Sequence, residues 1–245
     1  MGDMSHRSCT SWLPAIVVAA SGIYGITTVV AAREMSRDIA VSAETRVDAL
    51  LTAMGGRDTW AGTRFVHVRA THRDDMSGEL YENQIWNDFS APRVRIEARI
   101  GGDHVMRGID GTTGWRVRRG EVLPLAAEQI EADRAWWESN VYRTLHRLAA
   151  RDATLTARAV GSNRLEVFRE DRRRLNWFVL NGAGEPILFG TWDNEHGTSF
   201  GPLTEASSGI RHWRWGASAD GTFQFEIATL DARAAVPTGI TFDRP

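Results

Sequence analysis

From residue 64 onward the dominant pattern in this chain is a period of two. Arg93-Val94-Arg95-Ile96-Glu97-Ala98-Arg99-Ile100 alternates without a break, so Val94, Ile96, Ala98 and Ile100 fall on one face. Such alternation describes a strand with one face buried and one in water, which is the habit of antiparallel sheets. The same reading predicts strands over 64–72, 79–89, 104–109 and 114–119, then over 153–160, 164–170, 174–180, 186–193, 198–204, 210–217, 222–230 and 238–243. Turn residues separate them, as in Gly101-Gly102-Asp103, Asp110-Gly111, Gly161-Ser162-Asn163, Asn181-Gly182-Ala183-Gly184 and Asp220-Gly221. Phe223, Phe225 and Ile227 share one face of the last long strand, and Trp213 and Trp215 are expected to share a face around Arg214. About a dozen strands without a repeat or a linker predict a mostly β, α+β domain. Its expected core is a single large, curved antiparallel sheet or incomplete β-barrel.

Two stretches depart from this period. Residues 36–54 carry Val41, Val47, Leu50, Leu51 and Met54 at helical spacing, and Gly55-Gly56 supplies a stop. Residues 126–150, after Pro124, carry Ile130, Trp137, Val141, Leu145 and Leu148 at helical spacing, widened by Trp136 and Tyr142. A single helix with so broad an aromatic face is expected to cover the concave side of the sheet.

The N-terminus has a different character. From Trp12 to Ala32 there is no charged residue; Arg7 precedes the stretch, and Val30-Ala31-Ala32 precedes Arg33 as a small-residue cleavage pattern. Residues 1–32 therefore read as a secretory signal peptide or, since roughly 20 apolar residues span a bilayer, as an uncleaved membrane anchor. Either way residues 33–245 are expected outside the cytoplasm, in the periplasm or cell envelope, as one domain. The sole cysteine, Cys9, lies ahead of the apolar run, not where a lipidated cysteine would stand, and the exported part has none.

Composition excludes several chemistries. A net charge of −2 gives no basic footprint for nucleic acid. All 29 basic residues are Arg, so neither a P-loop lysine nor a Schiff-base lysine exists. The histidine spacings form no HExxH or Cys/His set, so no metal site is expected. No Ser stands in G-x-S-x-G, and Gly182-x-Gly184 leads into another strand, not into a phosphate-binding helix. Asp193-Asn194-Glu195-His196-Gly197 is the densest polar cluster; its residue types suit a hairpin turn better than a hydrolytic centre. Arg172-Arg173-Arg174 reads as a solvated turn, with contact to an acidic membrane surface as its other use. What remains is an unusual store of aromatic surface. Nine of the ten Trp lie beyond residue 32, and so many in one domain suit either a wide core or a roomy apolar cavity.

With these features on one chain, the sequence resembles the LolA-like family, the periplasmic lipoprotein carriers and outer-membrane lipoprotein-sorting proteins. The resemblance rests on the export signal and on a helix ending in Met54-Gly55-Gly56 before Trp60. It rests also on the aromatic segment Ala135-Trp136-Trp137-Glu138-Ser139-Asn140-Val141-Tyr142 set between two blocks of strands, on Phe200-Gly201-Pro202, and on Gly239-Ile240-Thr241-Phe242. It spans residues 36–245, but no position matches the lid-gating arginine of the carriers. It implies an incomplete barrel around helices, no catalysis and no cofactor, and a lipid, lipoprotein acyl chain or other hydrophobic small molecule held between sheet and helix. Helix 126–150 would be lid or plug. Trp136, Trp137, Val141, Leu145, Leu148, Trp213, Trp215, Phe223 and Phe225 are the expected ligand-binding residues, in a monomer. A membrane-anchored interaction or sensory module with a filled core is the alternative.

Overall fold

The computed structural model describes residues 43–73, 78–219, 221 and 223–245, which form one compact unit. The predicted signal or anchor over 1–32 and the start of helix 36–54 lie outside the described residues. Among the described residues no helix is long and apolar enough to cross a membrane.

The chain opens with helix α1 over 43–53 and helix α2 (Arg57–Gly62). Six strands follow: β1 (Phe65–Arg73), β2 (Leu80–Asp88), β3 (Arg93–Ile100), β4 (Asp103–Asp110), β5 (Thr113–Arg118) and β6 (Glu121–Pro124). Helices α3 (Ala127–Glu138) and α4 (Val141–Ala149) come next. The second block holds β7 (Leu155–Val160), β8 (Arg164–Arg169), β9 (Arg174–Leu180), β10 (Pro186–Thr191), β11 (Thr198–Phe200), β12 (Leu203–Glu205), β13 (Arg211–Trp213), β14 (Trp215–Ser218) and β15 (Gln224–Arg233).

Thirteen strands make one large, curved antiparallel sheet in the order β6-β5-β4-β3-β2-β1-β15-β14-β11-β10-β9-β8-β7. It is not closed: β6 and β7 are its edges, and β12 and β13 pair separately. The last strand, β15, sits between the two blocks against β1. The connection from β6 to β7 must therefore cross from one edge of the sheet to the other. Helices α3 and α4 are that crossing, which is why the aromatic segment lies between the two strand blocks.

One face of the sheet carries the core. Val66, Val68 and Ala70 of β1, Leu165 and Val167 of β8, Phe178 of β9, and Ile227 and Leu230 of β15 pack with Leu50 and Leu51 of α1, Met54 just after it, Trp60 of α2 and Leu145 of α4. Leu50, Leu51 and Leu145 are fully buried, each contributing about 1.5–3 kcal/mol of transfer free energy. Gly55 seats α1 on the sheet. Its φ is +107°, and a Cβ there would stand 2.4 Å from the Gly209 carbonyl oxygen. The approach lets the Arg211 amide donate to the Met54 carbonyl at 3.0 Å.

The structure corrects several sequence expectations. Helix 126–150 is two helices, broken at Ser139-Asn140. Asn140 is an N-cap whose Oδ1 accepts from the amides of Tyr142 and Arg143. Asn176, fully buried on β9, pins the break: its Nδ2 donates to the Ser139 carbonyl and its Oδ1 accepts from Thr144 Oγ1. Residues 238–243 form no strand; Phe242 instead packs on Phe65 and Trp86, and its carbonyl accepts from Trp115 Nε1. The strands expected over 198–204 and 210–217 are each split, the second at Arg214, where the chain passes from the small sheet to the large one. β6, too short to show a period, is an addition.

Candidate functional site

Registers show which side chains share the core face. Across β15, β1 and β2 the rows are Ala232–Val66–Asn87, Leu230–Val68–Ile85, Ile227–Ala70–Asn83 and Phe225–His72–Tyr81. The β15 partners are even-numbered, then odd-numbered. The phase changes because β15 bulges opposite Arg69/Ala70, skipping Ala228. Ala228 and Thr229 are consecutive exposed residues, as a bulge requires. Without it, Phe223, Phe225 and Ile227 would face solvent. The bulge thus turns three large apolar side chains inward.

They help to line a cavity of about 230 Å³ between the sheet and the α3–α4 break. Val68, Ala70 and His72 of β1, and Ile85 and Asn87 of β2, form one wall; Phe189, Thr191, Thr198, Phe200 and Trp213 form the other, and Trp136, Ser139, Asn140, Val141 and Tyr142 close it from the helical side. Among the described residues that line it, none is Asp, Glu or Arg. The second wall is a run of aromatic contacts: Phe189 to Phe200 at 6.2 Å, Phe200 to Trp213 at 3.9 Å and Trp213 to Tyr142 at 5.9 Å between centroids. Gly216 makes room at the rim, since a Cβ there would meet the Phe225 ring at 2.5 Å.

The first wall is interrupted by polar groups. His72 is 6% exposed, with Tyr81, Phe223 and Phe225 around its ring at 5.4, 5.1 and 5.9 Å. Burial lowers its pKa to about 4, so at neutral pH the ring is uncharged. Asn83 Nδ2 donates to its Nε2 at 3.3 Å, which leaves the ring hydrogen on Nδ1. That Nδ1, Asn83 Oδ1 and Asn87 Oδ1 are buried without a hydrogen-bond partner. Each such atom costs about 1–3 kcal/mol.

Five of the nine expected residues line this cavity: Trp136, Val141, Trp213, Phe223 and Phe225. The other four do not. Trp137 packs with Val94 and Ile109, donates Nε1 to the Asp88 carbonyl at 2.8 Å and lies under the Arg143 guanidinium, so it anchors α3 to the sheet. Leu145 is buried in the main core between sheet and helices, and Leu148 borders a separate cleft beside Val47 and Leu155. Trp215 is opposite outward-facing Glu226 and covers Gly201; the break at Arg214 gives it the opposite parity from Trp213. His72, Asn87, Tyr142, Phe189 and Phe200 are wall residues that sequence reasoning did not select. The alternation of β1 placed Val68, Ala70 and His72 on one face, but nothing in it distinguished cavity from solid core.

The polar cluster at 193–197 is the turn between β10 and β11. Asp193 accepts from Thr191, Glu195 pairs with Arg174 and, at 3.8 Å, Arg164, and His196 is exposed. Among the described residues no group of three or more His, Cys, Asp or Glu is placed to hold a metal ion.

No protein-family model matches the chain, and no curated protein sequence matches it either. Among solved structures, a DUF1329 family protein from Desulfovibrio piger is similar over 81% of this chain and 95% of its own, at 9% identity and a TM-score of 0.30. The MucA/MucB complex of Pseudomonas aeruginosa is similar over 81% of this chain, at 14% identity and a TM-score of 0.29; this chain spans 59% of that one. At such scores the likeness assigns neither family nor function.

Proposed function

We propose that this protein is a non-catalytic cell-envelope protein that holds one hydrophobic ligand, a lipid or lipoprotein acyl chain, between the curved sheet and the α3–α4 break. The observation that carries the reading is the wall itself. It is mostly aromatic and aliphatic, with His72, Asn87, Ser139, Asn140, Thr191 and Thr198 as its polar members, and, among the described residues, free of ionised side chains. Such a wall favours apolar surface and disfavours charge. At about 230 Å³ the cavity is smaller than the roughly 300–1,000 Å³ of drug-sized sites, which suits one slender chain better than a many-tailed lipid. The charge-free stretch from Trp12 to Ala32 supports an envelope location. The LolA-like sequence pattern supports transport of lipids or lipoproteins as the use of the cavity.

The test is mass spectrometry of the organic extract from protein purified out of the producing cell's envelope. An apolar species at near-stoichiometric amount is the expected result. Val141→Asp, which puts a carboxylate into the wall, is expected to lose that species while keeping the wild-type circular dichroism. A protein that is empty, and stays empty after incubation with membrane extract, overturns the reading in favour of an interaction module.

A further inference from the structure

We infer that the protein docks on a lipid bilayer with one end of its sheet, through four apolar hairpin tips: Ile100, Leu80, Phe223 and Trp192. The inference goes beyond the ligand reading and stands on exposed side chains, whether or not the cavity is filled. The registers place the four tips at the same end. Arg73 of β1 lies opposite Leu80 of β2 and Gln224 of β15, so Leu80 and Phe223 flank one end of β1. Ile100 closes β3 on one side of them. Trp192, which follows Thr191 of β10, stands on the other side, beyond β14 and β11. In strand order these are four consecutive hairpins, β3–β4, β1–β2, β14–β15 and β10–β11. Leu80 is 60% and Trp192 58% exposed, and Ile100 and Phe223 are each more than a third exposed.

The cavity reaches the same end. Phe223, His72 next to the last residue of β1, and Thr191 and Thr198 on either side of the β10–β11 turn all line it. The two hairpins that flank the four, β5–β6 with Arg119-Gly120 and β8–β9 with Glu170-Asp171-Arg172-Arg173, carry no large apolar residue at the tip. A bilayer fits this pattern better than a protein does. Neighbouring tips are two strand spacings, roughly 10 Å, apart, with charged and glycine residues between them. They therefore form no continuous patch for a packed protein interface. Separate Leu, Ile, Phe and Trp side chains on one rim can each enter the interfacial layer of a single bilayer, where the gain scales with buried apolar area. Charges of both signs share the rim, as in Arg99 and Asp103 or Arg119 and Glu121, so the contact does not depend on acidic lipid. A mouth held against a bilayer lets an apolar chain pass between membrane and cavity without crossing water.

The experiment uses the full-length chain with Cys9, its sole cysteine, replaced by Ser. One new cysteine carries an environment-sensitive nitrobenzoxadiazole label: Leu80→Cys, Ile100→Cys or Trp192→Cys at the tips, and Val160→Cys or Ile187→Cys at the opposite end of the sheet. All five positions are exposed, and each variant is used once its circular dichroism matches the wild type. The probe is a phosphatidylcholine vesicle, with or without a lipid bearing a nitroxide on its acyl chain. Emission at the three tips is expected to at least double, move to the blue and be quenched by the nitroxide lipid, in low and high salt alike. The two opposite-end labels are expected to keep their aqueous emission. The labels read which end meets the bilayer, whether or not residues 12–32 also hold the chain there. Tip labels that stay aqueous, or opposite-end labels that respond as strongly, overturn the inference and leave the tips to a protein partner. A response confined to vesicles of phosphatidylglycerol and abolished by salt also overturns it, assigning the contact to arginines such as Arg119 and Arg172. Silent tips together with a lipid in the organic extract remove the docking edge and keep the ligand site; responding tips on an empty protein do the reverse.

Discussion

The two helices that cross the sheet differ more than their adjacency suggests. Of the nine residues of α4, seven are buried, and the side chains of Tyr142, Leu145 and Leu148 enter the main core. Of the twelve in α3, two are buried, Asp133 and Trp137. α4 is also tied at both ends: Asn140 caps its start, and Arg147 binds Glu138, Asp152 and Thr154. α3 is held by Trp137 on β3 and β4 and by the Arg107–Asp133 pair at 3.3 Å. The plug and the cover of the cavity are therefore separate parts. α4 is expected to unfold with the core, whereas α3, with Trp136 at the cavity and only Asp133 and Trp137 buried, is expected to open at lower cost.

The largest expected effect tests the first half of that contrast. Leu145→Ala removes a fully buried side chain from α4 and should cost about 2–5 kcal/mol in urea unfolding. Ile130→Ala on half-buried α3 should cost distinctly less. Equal losses, with α3 and α4 melting together, would mean the two helices form one cooperative element.

Acid should separate the helices by sign. Burial lowers the pKa of His146 on α4, and likewise of His67, His72 and His212 in the sheets. Below pH about 6.5 the unfolded chain binds protons that the folded chain does not, so stability is full above that value and falls as pH drops toward 4. His72, lowered to about 4, accounts for up to about 3 kcal/mol of this loss. His72→Phe should flatten the fall of the urea midpoint between pH 7 and pH 4. On α3 the direction reverses. Burial raises the pKa of Asp133 despite the opposing pull of Arg107, so protonation favours its folded form as pH falls through that raised value. Amide exchange of 127–138 should accordingly lose less protection in acid than that of 141–149; the opposite order would break the contrast.

Why the split was hidden in the sequence has a physical answer. The sheet was legible because period two is a local property; 93–100 shows it within eight residues. The break at Ser139-Asn140 was not, because Val141, Leu145 and Leu148 continue the spacing of Ile130 and Trp137, and the partner that fixes the break, Asn176, lies on β9. Asn140 followed by an apolar run was a usable cap signal. The cavity was half legible for the same reason. Phe223 and Phe225 announced a shared face, but the bulge at Ala228 that turns that face inward is set by pairing with β1. Trp213 and Trp215 show the converse error, since a chain break between them cancels their parity.

The smallest expected effect acts on the joint itself. Asn140 Oδ1 accepts from two amides at the start of α4, at 3.0 and 3.3 Å. Asn140→Ala removes that acceptor and should cost about 1 kcal/mol, whereas Asn140→Gly should cost only a few tenths. If residues 138–141 acted as continuous helix in solution, the order would invert, because alanine is the better helix former by about 1 kcal/mol and glycine the worse. The sign of the difference between these two variants therefore reports the break directly, without a ligand. An alanine variant more stable than the glycine variant would merge α3 and α4 into one lid; the reverse keeps α4 as a fixed plug, with α3 as the part able to uncover Trp136 and the cavity behind it.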